Sequence, residues 1–209
     1  MISGHELWIF LGAAVLLNLS PGPDTIYIVT RTVAQGRRAG FLSTFGVCSG
    51  ALFHVAAAAL GLSVILATSA VAFTVVKYAG AAYLVYLGIR TFRAQGGLEI
   101  EPDKVRQASG WRIFREGVVI DILNPKAALF FMAFLPQFVT PGAGHETLQF
   151  FALGLTVIAI ALIWEGILVL IAHGLTRRLR ASRTFTRWLN RSLGAVFVLL
   201  GVRLAFEKA

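Results

Sequence analysis

The chain has 209 residues, of which 57% are hydrophobic and only 14% charged. Soluble domains carry about 25% charge, and the apolar excess here lies in long runs such as 41–67 and 148–172 that leave no material for a polar shell. A net charge of +9 does not indicate nucleic-acid binding, because the basic residues cluster in short gaps between apolar runs and no nucleic-acid motif accompanies them. The single cysteine, Cys48, excludes an internal disulfide, a CxxC redox pair and a cysteine metal site.

An apolar run of about 18 residues or more can cross a ~30 Å hydrocarbon layer as a helix. Six such spans are predicted, at 6–30, 41–67, 70–90, 114–138, 147–173 and 189–206. The fold class is therefore all-α, a polytopic membrane protein. The first span reads as a retained helix: it lacks a basic leader and contains Pro21, Gly22, Pro23 and Asp24, unlike a cleaved signal peptide. The last span is short and borrows Trp188 as an interfacial anchor. The stretch 93–112 is the one polar linker of real length.

Lys and Arg set the orientation. The first gap holds Arg31, Arg37 and Arg38; the third holds Arg90, Arg93, Lys104, Arg106, Arg112 and Arg115; the fifth holds Arg177, Arg178, Arg180, Arg183, Arg187 and Arg191. The second and fourth gaps, 68–69 and 139–146, hold none. Odd gaps are therefore expected in the cytoplasm and both termini outside.

The halves repeat. Gly80-Ala-Ala-Tyr-Leu-Val-Tyr-Leu-Gly88-Ile-Arg90 ends the third span, and Gly194-Ala-Val-Phe-Val-Leu-Leu-Gly201-Val-Arg203 ends the sixth. The first and fourth spans each carry an Asn and a Pro in mid-span, Asn18 with Pro21 and Asn124 with Pro125. Three crossings reverse the side, so these are two inverted three-helix repeats, 1–95 and 113–209, joined by a cytoplasmic linker, 96–112. Inverted repeats broken at matching positions mark transporters.

Proline has no N–H, so Pro21 and Pro23 deprive the carbonyls of Leu17 and Leu19 of helical partners, and Pro125 frees that of Asp121. Bare carbonyls in lipid are costly, so both breaks must face a packed or wet interior. Asp24 either caps the half-helix that resumes there or faces the substrate path and binds a cation or proton. Asp121, Asn124 and Lys126 place an acid, an amide and a base within about two turns. Charge at that depth is a functional candidate, although mutual pairing of Asp121, Lys126 and Asp24 is compatible with a structural role too. Asn18, Pro21, Gly22, Pro23, Asp24, Asp121, Asn124, Pro125 and Lys126 are the candidate transport residues. A zwitterionic amino acid suits them: its carboxylate would meet Lys126 and the N-terminal end of the half-helix after Pro125. Its ammonium would meet Asp24, Asp121 or freed carbonyls. Glu165 and His54 are candidate proton relays, or hydrogen-bonded structural groups. Gly46 and Gly50 read as sites of close helix packing. No GxxxxGK[ST] loop and no HExxH are present, and neither cofactor, metal site nor enzymatic activity is expected.

Together these motifs resemble the LysE/RhtB family of amino-acid exporters. The likeness runs through Ser20-Pro-Gly-Pro23, Gly36-Arg-Arg-Ala-Gly40, the 80–88 segment, Asn124-Pro-Lys-Ala-Ala-Leu-Phe-Phe131 and Leu135-Pro-Gln-Phe138. The NPKxxLFF form is closer to the homoserine/threonine-exporter branch. The resemblance implies secondary efflux of amino acids or close derivatives, driven by the proton gradient, across a bacterial inner membrane. The implied partners are a small-molecule substrate, protons and the bilayer, with a homo-oligomer left open and no nucleic acid. A passive channel and an exporter of another small solute are the competing readings.

Overall fold

The computed structural model describes residues 4–62, 107–140 and 145–174, with isolated helical positions between 71 and 93 and between 191 and 202. The third and sixth spans, the paired glycine segments at 80–88 and 194–201, most of the 96–112 linker and the basic stretch 177–187 lie largely outside the described residues.

Every described element is helical. The first span is two helices, α1 (Gly4–Leu19) and α2 (Pro23–Gln35), set at 51° to one another. Helix α3 (Arg37–Ala57) runs on through a π-helical turn, Ala58–Leu62. The fourth span is again two pieces, α4 (Gly110–Ile122) and α5 (Pro125–Leu129). The α5 helix continues through a π-helical turn, Phe130–Phe134, and a 3₁₀ turn, Leu135–Phe138, and bends from α4 by 47°. The long α6 (Glu146–Gly174) completes the described bundle. By length and composition α3 and α6 can each cross a membrane, and the described residues give up to four spans when each bent pair is counted as one.

The breaks fall where the chemistry demands. Pro23 and Pro125 each occupy a first helical turn, where a missing N–H costs nothing. Ser109 and Asn124 cap the helices they precede through their side-chain oxygens, which accept from Arg112 N and Lys126 N. The α2–α3 corner turns on Gly36, at φ 85° and ψ 179°, a conformation only glycine adopts freely.

Helix α3 is the hub, packed against α2, α4 and α6. A Cβ on Gly50 would sit 2.7 Å from both Asp121 Cβ and the Val118 carbonyl oxygen, and Gly46 lies against the Phe114 carbonyl and Gly117 in the same way. Both glycines thus do what the sequence suggested: they let α4 close on α3. The main core joins Phe10, Ala14 and Leu17 of α1, Val55 of α3, Phe130, Phe134 and Phe138 after α5, and Phe150 and Val157 of α6. Its aromatic rings tile directly, Phe10 on Phe138 at 5.3 Å and Phe134 on Phe138 at 4.9 Å. Trp8, Leu60, Leu123, Leu148 and Ile163 stand fully outward. Large exposed apolar side chains on every face identify lipid as the surrounding solvent.

The ends of α2 and α4 meet. Gln35 Nε2 donates to the Ala108 carbonyl at 3.1 Å, and Tyr27 Oη to the Ile113 carbonyl at 2.7 Å. The ends of the first and third gaps therefore lie on one side of the bundle. Arg31, counted as a loop cation in the sequence reading, is instead inside α2 and buried, paired with Glu116 at 2.6 Å.

Candidate functional site

Both breaks open onto one interior space of about 30 Å³. Its polar lining is Asn18, Asp24, Cys48, Asp121, Lys126 and Glu165; its apolar lining includes Val47, Ala51, Ala127, Phe131, Val157 and Ala161. The walls come from α1, α2, α3, α4, α5 and α6. The volume holds about two waters at ~10–15 Å³ each. It is far below the ~300 Å³ or more of small-molecule pockets, so the space as it stands is too small for a substrate.

Lys126 organises the site. Its Nζ donates to the Ser20 carbonyl at 2.6 Å and lies 3.9 Å from Asp24 Oδ2. The α1–α2 break thus does expose a carbonyl to the interior. The carbonyl taken up is that of Ser20, rather than those of Leu17 and Leu19 that the prolines deprive of partners. The contact reaches across 106 positions and ties the first break to the second. Gly22 makes it sterically open: a Cβ there would collide with Asp24 Oδ1 and stand 3.3 Å from Lys126 Nζ. Asp24 does not cap α2, whose N-cap is Gly22 with no side-chain hydrogen bond. Asp24 Oδ1 is buried without a hydrogen-bond partner.

Asp121 is held from behind. Its freed carbonyl accepts from Asn124 N at 2.9 Å, and His54 Nε2 lies 2.9 Å from the same oxygen. The His54 ring is 3.9 Å from Asp121 Oδ2 and stacks on Phe131 with centroids 6.1 Å apart. Asp121 Oδ2 itself has no hydrogen-bond partner. Asn124 Oδ1 is used at home, accepting from Lys126 N at 3.1 Å, so one of the amides expected to await a substrate carboxylate is already occupied. Asn18 likewise spends Nδ2 on the Ala14 carbonyl at 2.8 Å.

Glu165 is 3% exposed, and among the described residues no cation stands within ion-pair distance of it. Its hydrogen-bond partner among the described residues is the Cys48 thiol, which donates weakly to Oε2 at 3.8 Å. Three carboxylates and one ammonium thus line one small cavity, and of the three Asp24 alone stands within ion-pair distance of that ammonium. His54 stands behind Asp121 rather than in the lining. Cys48 was missed as a lining residue because a lone thiol among alanines and valines carries no pattern. Among the described residues, no group of three or more His, Cys, Asp or Glu could hold a metal ion.

A lipid-facing helical bundle whose two broken spans converge on a small charged cavity is the build of a membrane translocator for small molecules. The chain belongs to the LysE type translocator family, which it matches over residues 15–208. It is similar to the homoserine/homoserine lactone efflux proteins of Salmonella typhi and Salmonella typhimurium, each 31% identical over 96% of both chains. It is also 34% identical, over 98% of both chains, to an uncharacterized membrane protein of Vibrio cholerae. No solved structure matches the chain. The family is one of membrane translocators rather than of enzymes, so its setting is the bilayer and its cargo a small molecule.

Proposed function

We propose that this protein is a proton-coupled secondary exporter of amino acids or close derivatives, homoserine- or threonine-like, in a bacterial inner membrane. The observation that carries the reading is that Asp24, Asp121 and Glu165, from three different spans, line one small cavity with Lys126, whose ammonium lies 3.9 Å from Asp24. Buried charges without partners are expensive, and a set with more acids than bases has room for a cation or a proton. A zwitterion supplies what is missing. Its ammonium takes the open oxygens of Asp24 and Asp121, and its carboxylate replaces Asp24 beside Lys126. Glu165, beside which no cation stands among the described residues, is where we place the coupling proton.

The matching bends of 51° and 47° support the inverted-repeat architecture, with repeats 1–95 and 113–209 about the 96–112 linker. The printed names of the Salmonella relatives favour homoserine or its lactone as cargo. A cavity of about 30 Å³ argues against a standing pore.

The test is transport in reconstituted vesicles. Labelled homoserine moves uphill when a proton gradient is imposed, saturates, and stops when a protonophore is added, with ATP making no difference. Uphill movement with every ion gradient abolished sinks the coupling. Movement that never saturates and never accumulates restores the channel.

A further inference from the structure

A second pocket lies beside the α2–α4 seam. It is about 300 Å³, ten times the central cavity, and is lined by Gln35, Arg38, Ala39, Leu42, Ala108, Gly110 and Ile113. Among the described residues its charged side chain is Arg38, which favours an anionic group. Its wall shares Gln35, Ala108 and Ile113 with the hydrogen bonds that close the seam.

Those bonds form a latch. Arg31 Nη2 meets Glu116 Oε2 at 2.6 Å, and its Nη1 donates to Gln35 Oε1 at 2.7 Å. Arg112 Nε holds the other oxygen of Glu116 at 2.9 Å. On α2, Asp24, Arg31 and Gln35 follow at intervals of seven and four residues, so they share one helical face. Arg31 is about 10 Å from the level of Asp24, and Gln35 about 16 Å, at 1.5 Å per residue. One stripe therefore runs from the central cavity, through the latch, to the second pocket. Buried polar side chains fall on this side: Thr25, Thr32, Ser43 and Thr44. On the other side of the cavity the buried residues of α1 are Phe10, Ala13, Ala14 and Leu17, sealed by Phe134 and Phe138. One end is closed by ions that water can take over, and the other by aromatic packing.

The geometry points to the α2–α4 seam as the cytoplasmic entrance: the second pocket is a vestibule that receives the carboxylate of a zwitterionic substrate at Arg38, and the Arg31–Glu116 pair is the gate between it and the central cavity. This inference rests on the exporter reading, but its first test needs no transport. Cys48 is the single cysteine of the chain and lines the central cavity, so it reports water access. In everted membrane vesicles, where the cytoplasmic face looks outward, a membrane-impermeant charged maleimide should label Cys48 about tenfold faster in Glu116→Gln than in the parent. In right-side-out vesicles the rate should not change. An unchanged rate from the cytoplasmic face, or an equal rise at both faces, overturns the gate. Should Glu116→Gln fail to reach the membrane, Arg31→Gln removes the same ion pair from the α2 side and should raise the same rate about as much; no rise overturns it equally. For the vestibule, Arg38→Gln should raise the KM for homoserine presented at the cytoplasmic face severalfold, with little change for homoserine lactone, which has no free carboxylate. Equal shifts for both compounds remove Arg38 from the path. If neither compound is carried, the exporter reading fails while the labelling result stands.

Discussion

Replacing Lys126 by Met tests the centre of the site in two separable ways. The substitution keeps length and apolar bulk but leaves the Ser20 carbonyl without its 2.6 Å donor and Asp24 without the cation at 3.9 Å. Removing one partner of a buried ion pair costs about 3–5 kcal/mol, because the survivor is left uncompensated. Lys126→Met should therefore be strongly destabilised, and Asp24→Asn combined with Lys126→Met should recover most of that loss. Thermal unfolding in detergent of the parent, both single variants and the double variant measures the coupling. Transport reads the other role. A hydrogen bond to a charged group contributes about 1.5–3 kcal/mol, and each 1.4 kcal/mol is tenfold. In the folded double variant, with Asp24→Asn as its reference, the KM for homoserine should rise about 10- to 100-fold. That for homoserine lactone should change little. Equal KM shifts for the two compounds would refute the pairing of Lys126 with a substrate carboxylate. A double variant no more stable than Lys126→Met would refute its pairing with Asp24.

The other expectations are more direct. Asp121→Asn preserves side-chain size and should lower efflux at least about tenfold while reaching the membrane near parental levels; Asp24→Asn, which also strips Lys126 of its partner, should lower efflux per inserted molecule at least as much, and export at the parental rate per molecule removes either residue from the path. Reporter fusions after residues 34, 100 and 182 should read cytoplasmic and a fusion near 143 external, and a cytoplasmic signal at 143 overturns the orientation. Gly50→Val should overpack the α3–α4 contact by about 1–3 kcal/mol, seen as a lower melting temperature; an unchanged one means the helices part freely there. Gly36→Ala should destabilise as well, because its positive φ is unavailable to alanine without strain, and a stabilised variant would show that the corner had relaxed.

The breaks were legible in the sequence because proline's missing N–H acts locally: Pro21, Pro23 and Pro125 interrupt their helices wherever the rest of the chain goes. The close approach at Gly46 and Gly50 was legible for a similar reason, since four-residue spacing puts both on one helical face. What escaped were the pairings made in three dimensions. That Lys126 reaches Ser20, and that Glu165 meets the Cys48 thiol, depends on how α2, α3, α5 and α6 assemble. Arg31 was read as a loop charge because a count of basic residues near an apolar run cannot distinguish a solvated cation from one buried against Glu116. Asn124 looked like a ligand group from its company, yet its oxygen is committed to capping α5.

The two bent spans also carry a mechanical consequence. An intact helix resists changing its axis because hydrogen bonds of the ladder must stretch or break. At Pro21, Pro23 and Pro125 there is no N–H to lose, so these joints can swing at little enthalpic cost while the segments on either side stay rigid. The single strut from the Lys126 ammonium to the Ser20 carbonyl spans both joints at once. On the proposed exporter reading, a cargo molecule that drew the ammonium toward itself would release the two hinges together.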